Sequence, residues 1–172
     1  MAASEERRII LVRHAKAVPK DAADDPDRAL TDRGRGDALQ CGRWLAQSVF
    51  GADLVVCSPS RRTRQTWQVM EAQLEEPPPT VYEDRLYNAT ADELIAVLKE
   101  TSDGVGGLLV VGHNPGFHEA ATALCGDGPD DLVGRLRSGF PKAAAAVLTF
   151  TGPWSGLAPG AGRLTAFWSP GD

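Results

Sequence analysis

Short aliphatic runs recur along this chain, separated by stretches with helical spacing. The runs are Ile9–Val12, Leu54–Cys57, Leu108–Val111, Ala143–Phe150 and Leu164–Trp168. Continuous apolar runs of this kind suit strands buried on both faces. Between them, Thr31 is placed to cap a helix that runs through Ala38, Trp44 and Leu45 to about Ser48, weakened by Gly34, Gly36 and Gly42. Ser58-Pro59 predicts a second helix start, with Ser58 as N-cap and Pro59 at the first helical position, continuing to about Leu74. Thr90-x-x-Glu93 is a capping box ahead of Leu94, Ile95, Val97 and Leu98, and Pro115–Leu124 has helical character. Asp21–Asp27, Glu75–Thr80 and Thr151–Gly162 are rich in breakers or charge and read as connections. Strand and helix thus alternate, which predicts an α/β protein: a three-layer α/β/α sandwich around a mostly parallel sheet, one domain over 1–172 with no internal repeat.

Composition narrows the partners. A net charge of −5 over 172 residues implies no basic face, so no nucleic-acid partner is expected. Cys41, Cys57 and Cys125 are odd in number and form no CxxC pair, which fits a reduced, cytoplasmic chain. No apolar run approaches the roughly 20 residues of a membrane helix. Ile9–Val12 is also too short for a signal-peptide core and is followed at once by Arg13 and His14.

The chemistry gathers where strands end. Arg13-His14 follows the first run, and Gly112-His113-Asn114-Pro115-Gly116 follows Leu108–Val111. In an open α/β sheet, ligands bind beyond the carboxyl ends of the strands. If the two strands are parallel neighbours, both imidazoles face one crevice. The second run ends in Cys57-Ser58-Pro59 and a helix carrying Arg61, Arg62 and Arg64. Guanidiniums bind phosphate bidentately, and helix N-termini add N–H donors. A neutral imidazole can attack phosphorus, and a second, protonated one can stabilise the charge that develops. This is phosphoryl transfer without metal: three histidines with no HxH or HExxH spacing make a poor zinc site, and no cofactor is implied.

The motifs LVRHAKA (11–17), LTDRG (30–34), CSPSRRTRQT (57–66) and VVGHNPG (110–116) resemble those of the histidine phosphatase superfamily, in its SixA-type phosphohistidine phosphatase branch. The resemblance implies a phosphoglycerate-mutase-like fold and a transient phosphohistidine on His14. Arg13, Arg62 and His113 would bind the phosphoryl group, and Arg28 matches an arginine that SixA-like members often keep. Asn114, beside His113, is a further candidate ligand. Ala15 and Lys16 stand where the wider superfamily usually has glycine next to the histidine. Phosphomonoesterase members place a carboxylate before the third helix, which makes Asp84 the candidate general acid and Glu83 the fallback. An imidazole leaving group needs less protonation than an alkoxide, so a SixA-like enzyme can work with a poor acid.

The expected substrate is therefore phosphohistidine on a protein, acted on by a monomer. The nearest alternative is a small-molecule phosphomonoesterase using Asp84; from another class, a non-catalytic phosphate-binding module; and in principle a mutase. Several residues have plainer readings. Arg61 and Arg64 fit a solvated or substrate-rim face, His118 a structural role, Lys16 an exposed loop, and Trp44 and Trp67 a core or interface.

Overall fold

The computed structural model describes residues 5–48 and 51–172. Its strands are β1 (Glu6–Arg13), β2 (Leu54–Cys57), β3 (Thr80–Tyr82), β4 (Gly107–Gly112), β5 (Cys125–Asp127), β6 (Ala145–Thr151) and β7 (Gly162–Trp168). The helices are α1 (Asp32–Gln47), α2 (Arg61–Glu71), α3 (Ala91–Lys99), α4 (Gly116–Leu124) and α5 (Asp130–Ser138). The strands form one sheet in the order β3-β2-β4-β1-β6-β7-β5. Neighbours pair in parallel except at β1–β6 and β6–β7, so β6 alone runs against the rest.

Alternation along the central strands builds two cores. Ile9, Leu11, Leu108 and Val110 pack with Leu94, Leu98, Phe117, Leu124 and Leu136 of α3, α4 and α5. Ile10, Val12, Leu109 and Val111 face the other way, onto Cys41 and Leu45 of α1 and Trp67 and Met70 of α2. Strand side chains point to opposite faces with period two, so a β1 and β4 that are apolar at every position must be covered on both sides. The result is the α/β/α sandwich.

Local signals held with two corrections. Thr31 caps α1 by accepting from the Gly34 amide, and Thr90 with Glu93 forms the capping box of α3. The helix after β2 starts later than expected: its cap is Ser60, not Ser58, and Pro59 lies outside it. Two of the three glycines of α1, Gly34 and Gly42, are not mere weaknesses, whereas a Cβ at Gly36 would meet nothing within 4 Å. A Cβ at Gly34 would meet the Lys16 carbonyl at 2.1 Å, and one at Gly42 would meet the Met70 Cα at 2.8 Å. Their absence lets α1 close on α2 and on the loop after His14. No described helix is long and apolar enough to cross a membrane.

Candidate active site

β1 and β4 pair in parallel with Arg13 opposite Gly112, so the next residue on each chain leaves the sheet at the same level. Those residues are His14 and His113, whose ring centroids lie 5.5 Å apart. The loop after β1 is held from three sides. The His14 amide donates to the Gly112 carbonyl (3.0 Å), the Ala143 amide donates to the His14 carbonyl (3.1 Å), and the Ala15 amide donates to Thr66 Oγ1 on α2 (3.0 Å). Ala143 takes a left-handed backbone (φ 64°) to make its contact, a conformation that an L-residue holds only when its surroundings fix it.

His14 is buried, and its Nδ1 lies 2.8 Å from its neighbour's carbonyl, Ala15 O. A carbonyl can only accept, so Nδ1 carries the proton and Nε2 keeps its lone pair. Burial pushes the imidazole pKa down to about 3, with His113, Arg62 and Arg13 adding repulsion. A neutral imidazole of fixed tautomer is what a nitrogen nucleophile requires.

Arg62 is the one arginine of α2 turned inward; Arg61 and Arg64 are exposed, and Arg64 Nε donates to the Pro59 carbonyl. The Arg62 guanidinium donates to the Asp25 carbonyl (2.8 Å) and to Asp25 Oδ2 (3.2 Å), and Nη2 also lies 3.3 Å from His113 Nδ1. His113 Nε2 lies 2.7 Å from Ser58 Oγ. With Nδ1 accepting from Arg62, Nε2 is the protonated nitrogen and donates to Ser58. Burial and then Arg62 lower the His113 pKa to about 4. Desolvation next to a fixed cation thus favours the neutral ring in the protein without a bound anion.

His14, Arg62 and His113 line a cavity of about 600 Å³ together with Arg13, Lys20, Asp25, Arg28, Asn114 and Lys142. Arg13 donates to the Phe140 carbonyl (3.0 Å), and its buried Nε, like that of Arg62, has no acceptor among the described residues. Arg28 is in the cavity wall, but its donors go to Asp25 Oδ1 (3.1 Å) and the Val18 carbonyl (3.0 Å). Asn114 is likewise committed, donating to the Phe140 carbonyl and accepting from the His118 amide. Both build the wall and spend their polar groups on it. His118 reaches the Leu136 carbonyl at 2.6 Å and ties α4 to α5.

Asp84 is not brought into the cavity. It is exposed at the start of a single 3-10 turn, Asp84–Leu86, that buries Leu86. At three residues per turn, burying Leu86 points the side chain two positions earlier away from the same side. Glu83 is taken by Arg85, whose Nη2 lies 2.7 Å from it. The carboxylate that does line the cavity is Asp25, from the acidic loop, bonded to the Tyr87 hydroxyl and paired with Arg62 and Arg28. Those donors, Tyr87 foremost, hold its pKa down at about 2. The Tyr87 ring stands edge-on to His113, 5.5 Å between centroids. Sequence reading missed Asp25, Tyr87 and the second-row role of Ser58. Gly112 makes room for Phe117, whose ring would lie 2.4 Å from a Cβ there.

The profile of the histidine phosphatase superfamily (branch 1) matches residues 9–94. An uncharacterized protein of Mycobacterium tuberculosis, Rv1276c, is 36% identical over 161 residues, covering 92% of this chain and 99% of that one. A structure from Nakamurella multipartitia, assigned as the phosphohistidine phosphatase SixA, superimposes with a TM-score of 0.86 at 31% identity, covering 99% of both chains. The protein histidine phosphatase SixA complexed with tungstate gives a TM-score of 0.76 at 25% identity, covering 95% of this chain and 97% of that one.

Proposed function

The chain belongs to the histidine phosphatase superfamily as a phosphatase of the SixA type, and we propose that it removes phosphate from phosphohistidine on a protein, with His14 carrying the phosphoryl group in transit. His14 Nε2 attacks phosphorus in line; the bond from phosphorus to the substrate imidazole breaks, and that ring, protonated on its other nitrogen, takes the electron pair and leaves as neutral imidazole while His14 becomes the phosphorylated imidazolium. Water then attacks the phosphorus on His14, the P–Nε2 bond breaks, and inorganic phosphate departs with His14 neutral again. Arg13 and Arg62 answer the charge on the equatorial oxygens. A dianion drawn against His113 raises the proton affinity of that ring, so His113 takes up a proton on Nδ1 with the substrate, Arg62 Nη2 turns from that nitrogen to the phosphoryl group, and Nε2 stays on Ser58.

One observation carries the choice of substrate. Asp25, the carboxylate lining the cavity, accepts from Tyr87, Arg62 and Arg28, and these donors hold its pKa below the usual carboxylate range, so they favour the form with no proton to give an alkoxide. An alcohol leaving group with a pKa far above neutrality needs that proton; an imidazole, with a free pKa near 6.5, needs it much less. A small-molecule phosphomonoesterase acting through Asp84 would require that exposed side chain to turn about Leu86 into the cavity.

The test compares a phosphohistidine-bearing protein with a simple aryl phosphate and an alkyl phosphate, all with chelator, for wild type and His14→Ala. An alkyl phosphate, whose alkoxide leaving group needs acid catalysis, should be cut about 100-fold or more slowly in kcat/KM than phosphohistidine, with the aryl phosphate between them. His14→Ala should lower kcat by roughly 10⁴ or more, as loss of a nucleophile does elsewhere. Aryl phosphate cleavage alone would return the reading to small molecules, and turnover surviving in His14→Ala would mean another nucleophile.

A further inference from the structure

The charge around the cavity exceeds what one phosphoryl group can neutralise. Its lining carries five permanent cations, Arg13, Lys20, Arg28, Arg62 and Lys142, against one carboxylate, Asp25, a formal excess of four with both histidines neutral. A bound phosphoryl group supplies about −2. Roughly two positive charges are left over, or three with His113 protonated by the bound substrate, inside a chain whose net charge is −5. That sign reversal is local, and it is concentrated at the mouth.

The cations divide by depth. Arg13 and Arg62 sit at the floor with His14 and His113, while Lys20 and Lys142 are exposed at the rim. Neither rim lysine has a carboxylate within ion-pair distance among the described residues; the Asp25 carboxylate is already shared by Arg28, Arg62 and Tyr87. Lys142 instead faces Arg13, Lys16 and Arg28, whose repulsion adds to its partial desolvation in lowering its pKa. Like charges held together without counter-charge destabilise a fold, and a cluster placed at a cavity mouth attracts a complementary ligand.

We propose that Lys20 and Lys142 form a second anion subsite at the mouth of the phosphoryl pocket, and that the phosphohistidine of the substrate is flanked by acidic side chains that these lysines receive. This rests on the phosphohistidine reading above. The lysines act at the rim, through water and on long flexible stems, so they set recognition and encounter rather than the chemical step.

The experiment uses two phosphohistidine peptides that differ only in carrying glutamates or glutamines two residues to either side of the phosphohistidine. Wild type should prefer the glutamate peptide by about 10-fold in kcat/KM, on the scale of one or two rim charge pairs. The preference should fall to about 2-fold or less in the Lys20→Gln/Lys142→Gln double variant, and it should shrink when salt is raised from about 0.05 to 0.5 M. Equal rates on the two peptides, or a preference that survives in the double variant, would overturn the subsite while leaving the phosphohistidine reading in place. Hydrolysis of neither peptide, with a simple aryl phosphate still cleaved, would remove that reading and the subsite with it.

Discussion

The two ends of β1 carry the same residue type in opposite roles. Arg7, near the start of the strand, is 1% exposed; its two terminal nitrogens donate to the Gly152 carbonyl (2.8 Å) and the Asp103 carbonyl (2.9 Å). The Asp103 and Glu5 carboxylates lie 3.5 and 3.8 Å away. Arg13, at the end of the strand, has one donor on the Phe140 carbonyl and no carboxylate within ion-pair distance among the described residues. Arg13 is only partly buried, so exposure differs between the two ends, and so does the company each guanidinium keeps. What separates them is whether the protein itself answers the charge. At the start of β1 it does, and the arginine joins segments distant in sequence. At the end it does not, and the unanswered charge faces a cavity.

The sharpest way to break this contrast is at the catalytic end. Arg62→Ala removes a preorganised donor and should lower kcat by about 100- to 1,000-fold, or ~3–4 kcal/mol of transition-state stabilisation. Arg62→Lys should recover little of it, because an ammonium cannot reproduce the fork that spans Asp25 and the neighbourhood of His113. Single-turnover hydrolysis on folded protein measures both. A near-normal rate in Arg62→Ala would remove this arginine from the phosphoryl site.

The converse test is at the other end. Arg7→Met keeps the volume but leaves the Gly152 and Asp103 carbonyls without their donors, which should cost about 3 kcal/mol of stability for two charge-assisted hydrogen bonds. Activity per folded molecule should not change, since Arg7 is separated from His14 by the length of β1. Denaturant unfolding reads the first quantity and kcat on the folded fraction the second. A loss of kcat with unchanged stability would reverse the roles assigned to the two ends.

How legible was this contrast beforehand? The cluster at the end of β1 was, because Arg13, His14, Arg62 and His113 each lie at the end of a strand or the start of a helix, and strand order then brings them to one cavity. The parallel pairing of β1 with β4 was a condition in the sequence and became a register in the structure. Arg7 gave no sign: an arginine ahead of an aliphatic run reads as solvent-exposed flank, and its partners at 103 and 152 are remote in sequence. Asp25 was hidden for a similar reason. An acidic, proline-broken loop reads as surface, and only tertiary contact with α2 and Tyr87 turns one of its carboxylates inward. The segments Asp130–Ser138 and Cys125–Asp127 were not assigned because three-residue strands and charge-rich nine-residue helices carry little periodic signal. Asp84 failed because motif position fixes a place along the chain, whereas the phase of a 3-10 turn fixes where its side chain points.

The smallest effect is also the one that binds function to stability. His14 and His113 have folded pKa values lowered to about 3 and about 4, while the unfolded chain keeps histidine near 6.5. Below about pH 6.5 the unfolded state therefore binds protons that the folded state refuses, and stability falls as pH falls until the folded rings also protonate. Between pH 7 and 5.5 the two rings together should remove roughly 2 kcal/mol, with Asp25 contributing only near and below pH 4, where its unfolded counterpart protonates. Denaturant titrations at the two pH values measure the difference, and His14→Ala should remove about half of it. Ring resonances of both histidines should stay in the neutral form across that range. A midpoint near 6.5 for His14 would mean that its nitrogen is not held neutral by burial, and the catalytic end of β1 would then lack the property that sets it apart from the end occupied by Arg7.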